Sequence, residues 1–309
     1  MIFSLFRETF REWRDDNATR LAAALAYYTT FSLAPLLVLV IAIAGLLGGR
    51  EAAQNQTMAQ VQDLLGVQGK EFVQGMIESA SKPSTGMAAT IIGVVTLFFG
   101  ALGVFGELQN SLNTIWEVKP KPAKNFIDGI KRFVGRRLLS FAMVLGTGFL
   151  LLASLVLSAA LSALGGYIGT RWLVADLWLQ AINFFISFGV ITLLFAMIFK
   201  LLPEVKMAWK DVWLGAAFTS ALFTLGKSLI GLYLGRSQVG STFGAAGSLA
   251  ILLIWIYYSA QILFFGAEFT QVYANRYGSK IEPDKDVVKV TEQERAQKGI
   301  ARQETLERR

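Results

Sequence analysis

Three charged residues interrupt long apolar runs in this chain, and they are the natural place to look for chemistry. They are Glu107, Lys227 and Glu268. Because a charge in hydrocarbon is costly, such residues mark substrate paths, proton relays or charge pairs. The chain has no histidine and no cysteine, so it lacks the usual neutral-pH base, the commonest metal ligand and any thiol. What remains is anion binding by lysine and proton exchange by carboxylates.

The elements that must position these residues are membrane-spanning helices. Of the 309 residues, 54% are hydrophobic and 17% are charged, whereas charged residues make up about 25% of a soluble domain. A helical crossing needs about 20 apolar residues. Six segments approach or exceed that length, and we predict an all-α, polytopic membrane protein. The segments are Leu21–Gly48, Met87–Phe105, Leu138–Leu164, Trp178–Leu202, Val212–Gly235 and Gly244–Phe269.

The lysines and arginines predict the orientation of these six spans. Four precede segment one, seven follow segment two, three follow segment four and nine lie from Arg276 onward, against five in the other three loops. The positive-inside rule therefore predicts that both termini are cytoplasmic. The same bias accounts for the net charge of +7, and we expect no nucleic-acid partner.

The parts outside the spans divide the chain further. Residues 1–20 are predicted to form a cytoplasmic amphipathic helix that either lies on the anionic leaflet or packs on the bundle. The transmembrane domain covers 21–275. Its external loop, 49–86, is predicted to contain two short amphipathic helices interrupted at Gly66 and Gly69, acting as a cap or a lid. The charged tail, 276–309, is expected to be disordered or a lone helix.

Segment one offers hydroxyl groups beside a proline. Pro35 cannot donate a backbone hydrogen bond to Phe31, so a kink is expected there. The freed carbonyl could face a polar cavity, or neighbouring hydroxyls could satisfy it. The residues that would line a path are Tyr27, Tyr28, Thr30, Ser32 and Pro35.

Segments two and four supply amide groups. Glu107, Gln109 and Asn110 follow the small-residue end of segment two and form a polar cluster near the cytoplasmic rim. They serve either as a gate or as the point where the helix enters the headgroups. Asn183 in segment four is a substrate ligand or an interhelical hydrogen bond.

Segments five and six each carry a charged residue inside the predicted span. Lys227 shares a face with Ser220 and Thr224, and we expect it to point inward toward an anionic group, with snorkelling outward as the alternative. Gln261 and Glu268 lie two turns apart on segment six. Glu268 is either exposed to headgroups or a proton-coupling carboxylate. The stretch Gly231–Gly235 permits intrachain packing or self-association.

Three stretches together resemble the YihY/BrkB family of bacterial inner-membrane proteins. They are 22–35, 106–116 and 240–268, within a resemblance that covers roughly 10–275. The family implies six helices with cytoplasmic ends in the inner membrane. Its members are linked to serum resistance and proposed as permeases for lipid-like or other amphipathic cargo. An older ribonuclease label is contradicted here because a zinc nuclease needs histidines.

These observations predict a non-enzymatic transporter for an anionic, amphipathic substrate, without metal or other cofactor. Lys227 would bind the anion, while Glu107 and Glu268 would act as gating or coupling groups. Expected partners are membrane lipids, the substrate and a second copy of the chain. The alternative is a scaffold whose basic loop, 119–137, binds lipid or a protein.

Overall fold

The computed structural model of this protein describes residues 2–81, 103–132 except 124, single positions between 134 and 146, 173–236, and 245–297 except 286. Its helices are α1 (Ile2–Asp15), α2 (Ala18–Gly48), α3 (Arg50–Ser81), α4 (103–115), α5 (126–132), α6 (Leu173–Leu201), α7 (Trp209–Arg236), α8 (Ala245–Arg276) and α9 (Glu292–Gln297). Four short strands join them: β1 (Val118–Pro120), β2 (Val205–Lys206), β3 (Glu282–Pro283) and β4 (Val287–Lys289).

Four of the helices are long and apolar enough to cross a membrane. The candidate spans are Ala18–Ala42, Phe184–Leu201, Trp209–Ile230 and Ala246–Arg276, on α2, α6, α7 and α8. They coincide with predicted segments one, four, five and six, so the prediction of a helical, multi-pass membrane protein is confirmed at that level. Segments two and three, Met87–Phe105 and Leu138–Leu164, lie almost entirely outside the described residues.

The first two helices meet at a tight turn. Asn17 adopts a left-handed conformation with φ of 53°, which asparagine tolerates better than most residues. The turn places α1 against α8, where Phe6 contacts Phe218 and Phe269. Phe3 and Phe10 stay exposed on α1. Helix α2 continues through Pro35 to Gly48.

Helix α3 occupies the stretch predicted to hold two short helices. Its helical conformation is broken at Gly66, where φ is 74° and ψ is −177°. Glycine is favoured there because a positive φ with extended ψ crowds any Cβ. Helix α3 packs on α2 and α8, and Val73 and Ile77 are buried in a cluster with Ile41 and Leu252.

Helices α7 and α8 approach closely through paired small residues. A Cβ atom on Gly215 would lie 2.7 Å from Cβ of Thr270, and one on Gly266 would lie 2.8 Å from Cβ of Thr219. Each threonine hydroxyl donates to the carbonyl oxygen four residues earlier, at 2.7 Å for Thr219 and 2.6 Å for Thr270. The interface is therefore close and internally satisfied, as small residues permit in membrane bundles.

One end of the bundle gathers four distant parts of the sequence. Strand β1 pairs antiparallel with β4, and β2 pairs antiparallel with β3. These strands and the Asp16–Asn17 turn lie at what we call the charged end. The expectation of a disordered tail or a lone helix is wrong for 281–297, because Ile281 and Val287 are buried and both short strands find partners.

Candidate functional site

The charged end contains a fully buried acid. Glu268 lies on α8 with 0% of its surface exposed. Neither of its carboxylate oxygens has a hydrogen-bond partner among the described residues. Of its two predicted environments, exposure to headgroups is therefore wrong. A buried carboxyl group without a hydrogen bond is costly, so this position needs a reason other than stability.

A basic residue from the tail is buried at the same end of the bundle. Arg295 on α9 is 1% exposed. Its guanidinium forms an ion pair with Asp16 and a second one, at 3.2 Å, with Glu117. Asp16 comes from the α1–α2 turn and Glu117 from the link between α4 and β1, so Arg295 joins three segments that are remote in sequence.

Electrostatics connects these groups into one site. Asp16, Glu12 and Glu117 repel a negative charge on Glu268, while Arg295 attracts it. We call these five residues the charge cluster. Burial raises the pKa of the Asp16 carboxyl to about 7, although Arg295 opposes that shift. The raised pKa of Asp16 makes this carboxyl suited to hold a proton.

The polar residues of α4 mainly form hydrogen bonds to the segment that follows α6. Gln109 donates to the Leu202 carbonyl oxygen at 2.9 Å, and Asn113 accepts from the Glu204 backbone N–H at 3.0 Å. Asn110 is exposed. Glu107 is half-buried, and burial raises the pKa of its carboxyl. Glu107 is not among the groups that act most strongly on Glu268.

The residues of α2 that were predicted to line a substrate path do not lie together. Thr30 and Ser32 are buried, and the Thr30 hydroxyl donates to the Ala26 carbonyl oxygen at 2.8 Å. Tyr27 and Tyr28 are exposed, and Tyr27 contacts Phe31 instead. These tyrosines and hydroxyls therefore do not line one surface. Pro35 is half-buried.

The inward orientation predicted for Lys227 is wrong. Its side chain is exposed on α7, because the close face of this helix turns Gly226 toward Tyr258 and Ile262 instead. Lys227 lines none of the described cavities. The side chain of Asn183 lies outside the described part of the chain.

Two cavities meet at Phe10, and the larger of them includes Glu12 and Glu117 of the charge cluster. The basic cavity, of about 940 Å³, is lined by Arg7, Arg11, Arg14 and Arg276 together with Glu8, Glu12 and Glu117. Glu8 pairs with Arg276 at 2.9 Å, and Glu117 pairs with Arg295. Arg11 pairs with Glu12 at 3.9 Å, and the four arginines that line the cavity outnumber its three acids.

The second cavity is an apolar groove of about 380 Å³ between α7 and α8. Its walls include Leu225, Leu229 and Phe265, and Gln261 is one of its polar residues. The buried Oε1 of Gln261 has no hydrogen-bond partner among the described residues. Leu225 and Leu229 are also largely exposed, so the groove opens sideways, toward the lipid side of the bundle.

Sequence reasoning missed most of the charge cluster. Glu12, Asp16 and Glu117 stand in charged stretches that look like solvated ends, and Arg295 is one of many charges in the tail. The only local signal is that Asp15 and Asp16 directly precede an apolar run. Within the part of the chain that the structure describes, no group of acids has the arrangement of a metal site.

A helical bundle with several apolar spans and ionisable groups buried at one end defines a polytopic α-helical membrane protein. The family model described as virulence factor BrkB matches residues 9–290. The chain therefore belongs to the BrkB family, which confirms the resemblance inferred from its residues. No solved structure matches it.

Relatives with curated names carry the same description. The chain is 28% identical over 275 residues to a UPF0761 membrane protein of Methylibium petroleiphilum, covering 84% of this chain and 60% of the relative. A UPF0761 membrane protein of Acinetobacter baylyi is 24% identical over 283 residues, covering 91% and 64%. One of Alcanivorax borkumensis is 24% identical, covering 84% and 57%. The chain thus spans about 60% of the length of such relatives.

Proposed function

We propose that this chain is a non-enzymatic transport protein of the bacterial inner membrane, moving an anionic, amphipathic, lipid-like substrate. The charge cluster is its coupling site, and the basic cavity with the apolar groove is where substrate enters. Six spans with both termini in the cytoplasm complete the arrangement.

The contacts at the charged end support that topology. The Asp16–Asn17 turn, β1, β2 and the tail meet there, so all four lie on one side of the membrane. An even number of crossings must then separate each part from the next. Helices α7 and α8 supply one pair, while α2 and α6 each need a partner from the undescribed segments. The excess of lysine and arginine on these parts favours the cytoplasmic side.

The observation that carries the proposal is the state of Glu268. An acid inside a candidate span, fully buried and without a hydrogen bond, is expensive to keep in an apolar helix. A carboxyl group of this kind suits a role in which it gains and loses a proton as the protein changes conformation. A purely structural position would favour leucine.

The cavities support the choice of substrate. Arginines on α1 face the basic cavity, and apolar side chains of α7 and α8 form the adjoining groove. Helical periodicity places Arg7, Arg11 and Arg14 next to the face that carries Phe10. A phosphate-bearing headgroup fits the first surface and an acyl chain fits the second.

A reconstitution experiment tests the proposal. Vesicles of phosphatidylcholine and phosphatidylglycerol would carry fluorescent NBD-phosphatidylglycerol, and external dithionite would report its movement between leaflets under an imposed pH gradient. Wild type should expose the probe much faster than protein-free vesicles. Glu268→Gln should lose most of that activity, while Glu71→Gln, an exposed acid on α3, should retain it. Wild-type vesicles that behave like empty ones would refute transport of this substrate class.

The same assay separates our proposal from the role first assigned to Lys227. Because Lys227 lies outside the described cavities, Lys227→Met should move the probe at the wild-type rate. Arg11→Gln combined with Arg14→Gln should slow it. The reverse pattern would return the anion site to Lys227.

A membrane scaffold is the second candidate function. Its support is an exposed apolar stripe at helical spacing beside the basic loop. The stripe comprises Phe126, Ile127, Ile130, Val134 and Leu138. A scaffold predicts stoichiometric capture of a protein partner that is lost on Phe126→Asp, with no movement of the lipid probe.

A further inference from the structure

The C-terminal segment 281–297 crosses the charged end and ends in a buried arginine. We call it the strap. It adds β3 to β2 and β4 to β1, and the Val290 backbone N–H donates to the Glu117 carbonyl oxygen at 2.8 Å. Lys119 forms an ion pair with Glu294. The strap therefore touches both loops that flank the charge cluster before Arg295 enters it.

We propose that the strap is a reversible closure over the charge cluster, with Arg295 as its latch, and that Glu268 becomes accessible to water when the strap undocks. This inference rests on the proposed function only for its consequence in transport. The closure itself concerns access to Glu268 and can be measured without any substrate.

The contacts of the strap are suited to docking and release. Its strands have two and three residues, and α9 has six. Apart from Ile281, Val287 and Arg295, its described side chains are exposed or half-buried. Little apolar area therefore holds it in place, and such segments open locally well before the whole fold does.

The charges explain why release would matter. Arg295 pairs with Asp16 from the α1–α2 turn and with Glu117 from the α4–β1 link. Gln271, one turn from Glu268 on α8, donates to the Ile115 carbonyl oxygen at 2.8 Å, so this side of α8 packs against the same link. Removing the guanidinium takes away the cation that pairs with Asp16 and Glu117. Buried like charges favour water entry or proton uptake. Undocking thus converts a closed cluster into an open acidic site.

The absence of cysteine from the sequence allows a direct test of access. In Glu268→Cys, a charged, membrane-impermeant methanethiosulfonate should react slowly while the strap is docked. Adding Arg295→Gln should raise the labelling rate about tenfold or more, because labelling tracks the population of the open state. Phe264→Cys, equally buried one turn away on α8, should stay protected in both backgrounds.

Each alternative result decides the question. Equal labelling of Glu268→Cys with and without Arg295→Gln would overturn the closure. If Phe264→Cys also became reactive, Arg295 would be a general structural residue, and the closure would again be rejected.

A disulfide tests whether opening is needed for transport. Lys119 and Val288 are directly opposed across β1 and β4, at a spacing that suits a disulfide. In Lys119→Cys/Val288→Cys, oxidation should stop movement of the lipid probe, and reductant should restore it. The pair Lys206→Cys/Glu282→Cys joins β2 to β3 at the root of the strap and should have a smaller effect.

The two proposals fail in different ways. If wild type moved no lipid but Glu268→Cys labelling responded to Arg295→Gln, the closure would stand and the transport proposal would fall. If the oxidised Lys119→Cys/Val288→Cys protein moved lipid as fast as the reduced protein, transport would stand and opening of the strap would not be needed for it.

Discussion

Two faces of the same stretch of α8 differ in whether their buried polar groups have hydrogen bonds. Gly266 and Thr270 face α7, where close packing and an internal hydrogen bond leave the threonine hydroxyl satisfied. Glu268 lies between them in sequence, on roughly the opposite side of a helix with 3.6 residues per turn. It is just as buried, yet both carboxylate oxygens lack a partner among the described residues.

This difference in hydrogen bonding distinguishes a residue that serves packing from one that serves function. Threonine can bury its hydroxyl at little cost, because the carbonyl four residues earlier accepts its proton. A carboxyl group has no such local solution in a helix and depends on groups from other segments. In this protein those groups are Glu12, Asp16, Glu117 and Arg295, three of them acidic. Burial alone would not have distinguished the two kinds of site.

The largest fall in Tm should come from disrupting the close packing between α7 and α8. In Gly215→Ala, the new Cβ would lie 2.7 Å from Cβ of Thr270, so the helices must move apart. Overpacking of this kind costs about 1–3 kcal/mol or more, and thermal unfolding in detergent should show a clear fall in Tm. Gly75→Ala, where a Cβ has open space, is the matched control and should leave Tm unchanged or slightly higher.

A rescue variant sharpens that prediction. Thr270→Gly removes the atoms that the new Cβ would meet, so the double variant should recover part of the lost stability relative to Gly215→Ala alone. Purely additive losses would mean that these positions do not touch.

The next largest fall in Tm should come from replacing Arg295, the latch of the strap at the charged end. Arg295→Met leaves buried acids without their counterion, and breaking a buried pair costs about 3–5 kcal/mol where the remaining charge stays buried. Undocking of the strap limits the loss, so we expect a smaller fall in Tm than for Gly215→Ala. Lys289→Met, an exposed change on β4, should have no effect. An unchanged Tm for Arg295→Met would show that the ion pairs contribute nothing.

Glu268→Gln should not lower Tm, unlike most substitutions of buried residues. The amide keeps the shape of the side chain and removes a buried group that can ionise, so Tm should stay equal or rise while movement of the lipid probe is lost. A fall in Tm with transport intact would place Glu268 with the packing residues. Differential scanning fluorimetry and the vesicle assay, run on one preparation, would decide between these roles.

The smallest effect is a pH dependence at Asp16. Its pKa is raised by burial to about 7, above the 3.8 expected for an unfolded chain. The folded state therefore binds this proton more tightly, so the stability that it contributes is complete below about pH 4 and lost as pH rises through 7. Wild type should lose Tm relative to Asp16→Asn over that interval. A difference that is constant with pH would contradict the assignment.

Four of the six predicted spans, and the class of helical membrane protein, could be recognised from the sequence alone. A long apolar run can cross a bilayer only if its backbone groups bond to one another, which a helix achieves. Such runs are local in the sequence, so α2, α6, α7 and α8 were located from composition. Glu268 could also be singled out as a candidate, because a charge in an apolar helix is visible in the sequence.

The direction of side chains and the partners of the charges were decided only by the tertiary structure. The stripe on α7 suggested that Lys227 points inward, yet the contact that α7 makes with α8 turns this lysine outward. Arg295 reaches Asp16 across 279 positions, and no local pattern carries that pairing. Helical spacing determines which residues share a face, whereas the neighbouring helices determine which face is buried, and that choice creates the charge cluster.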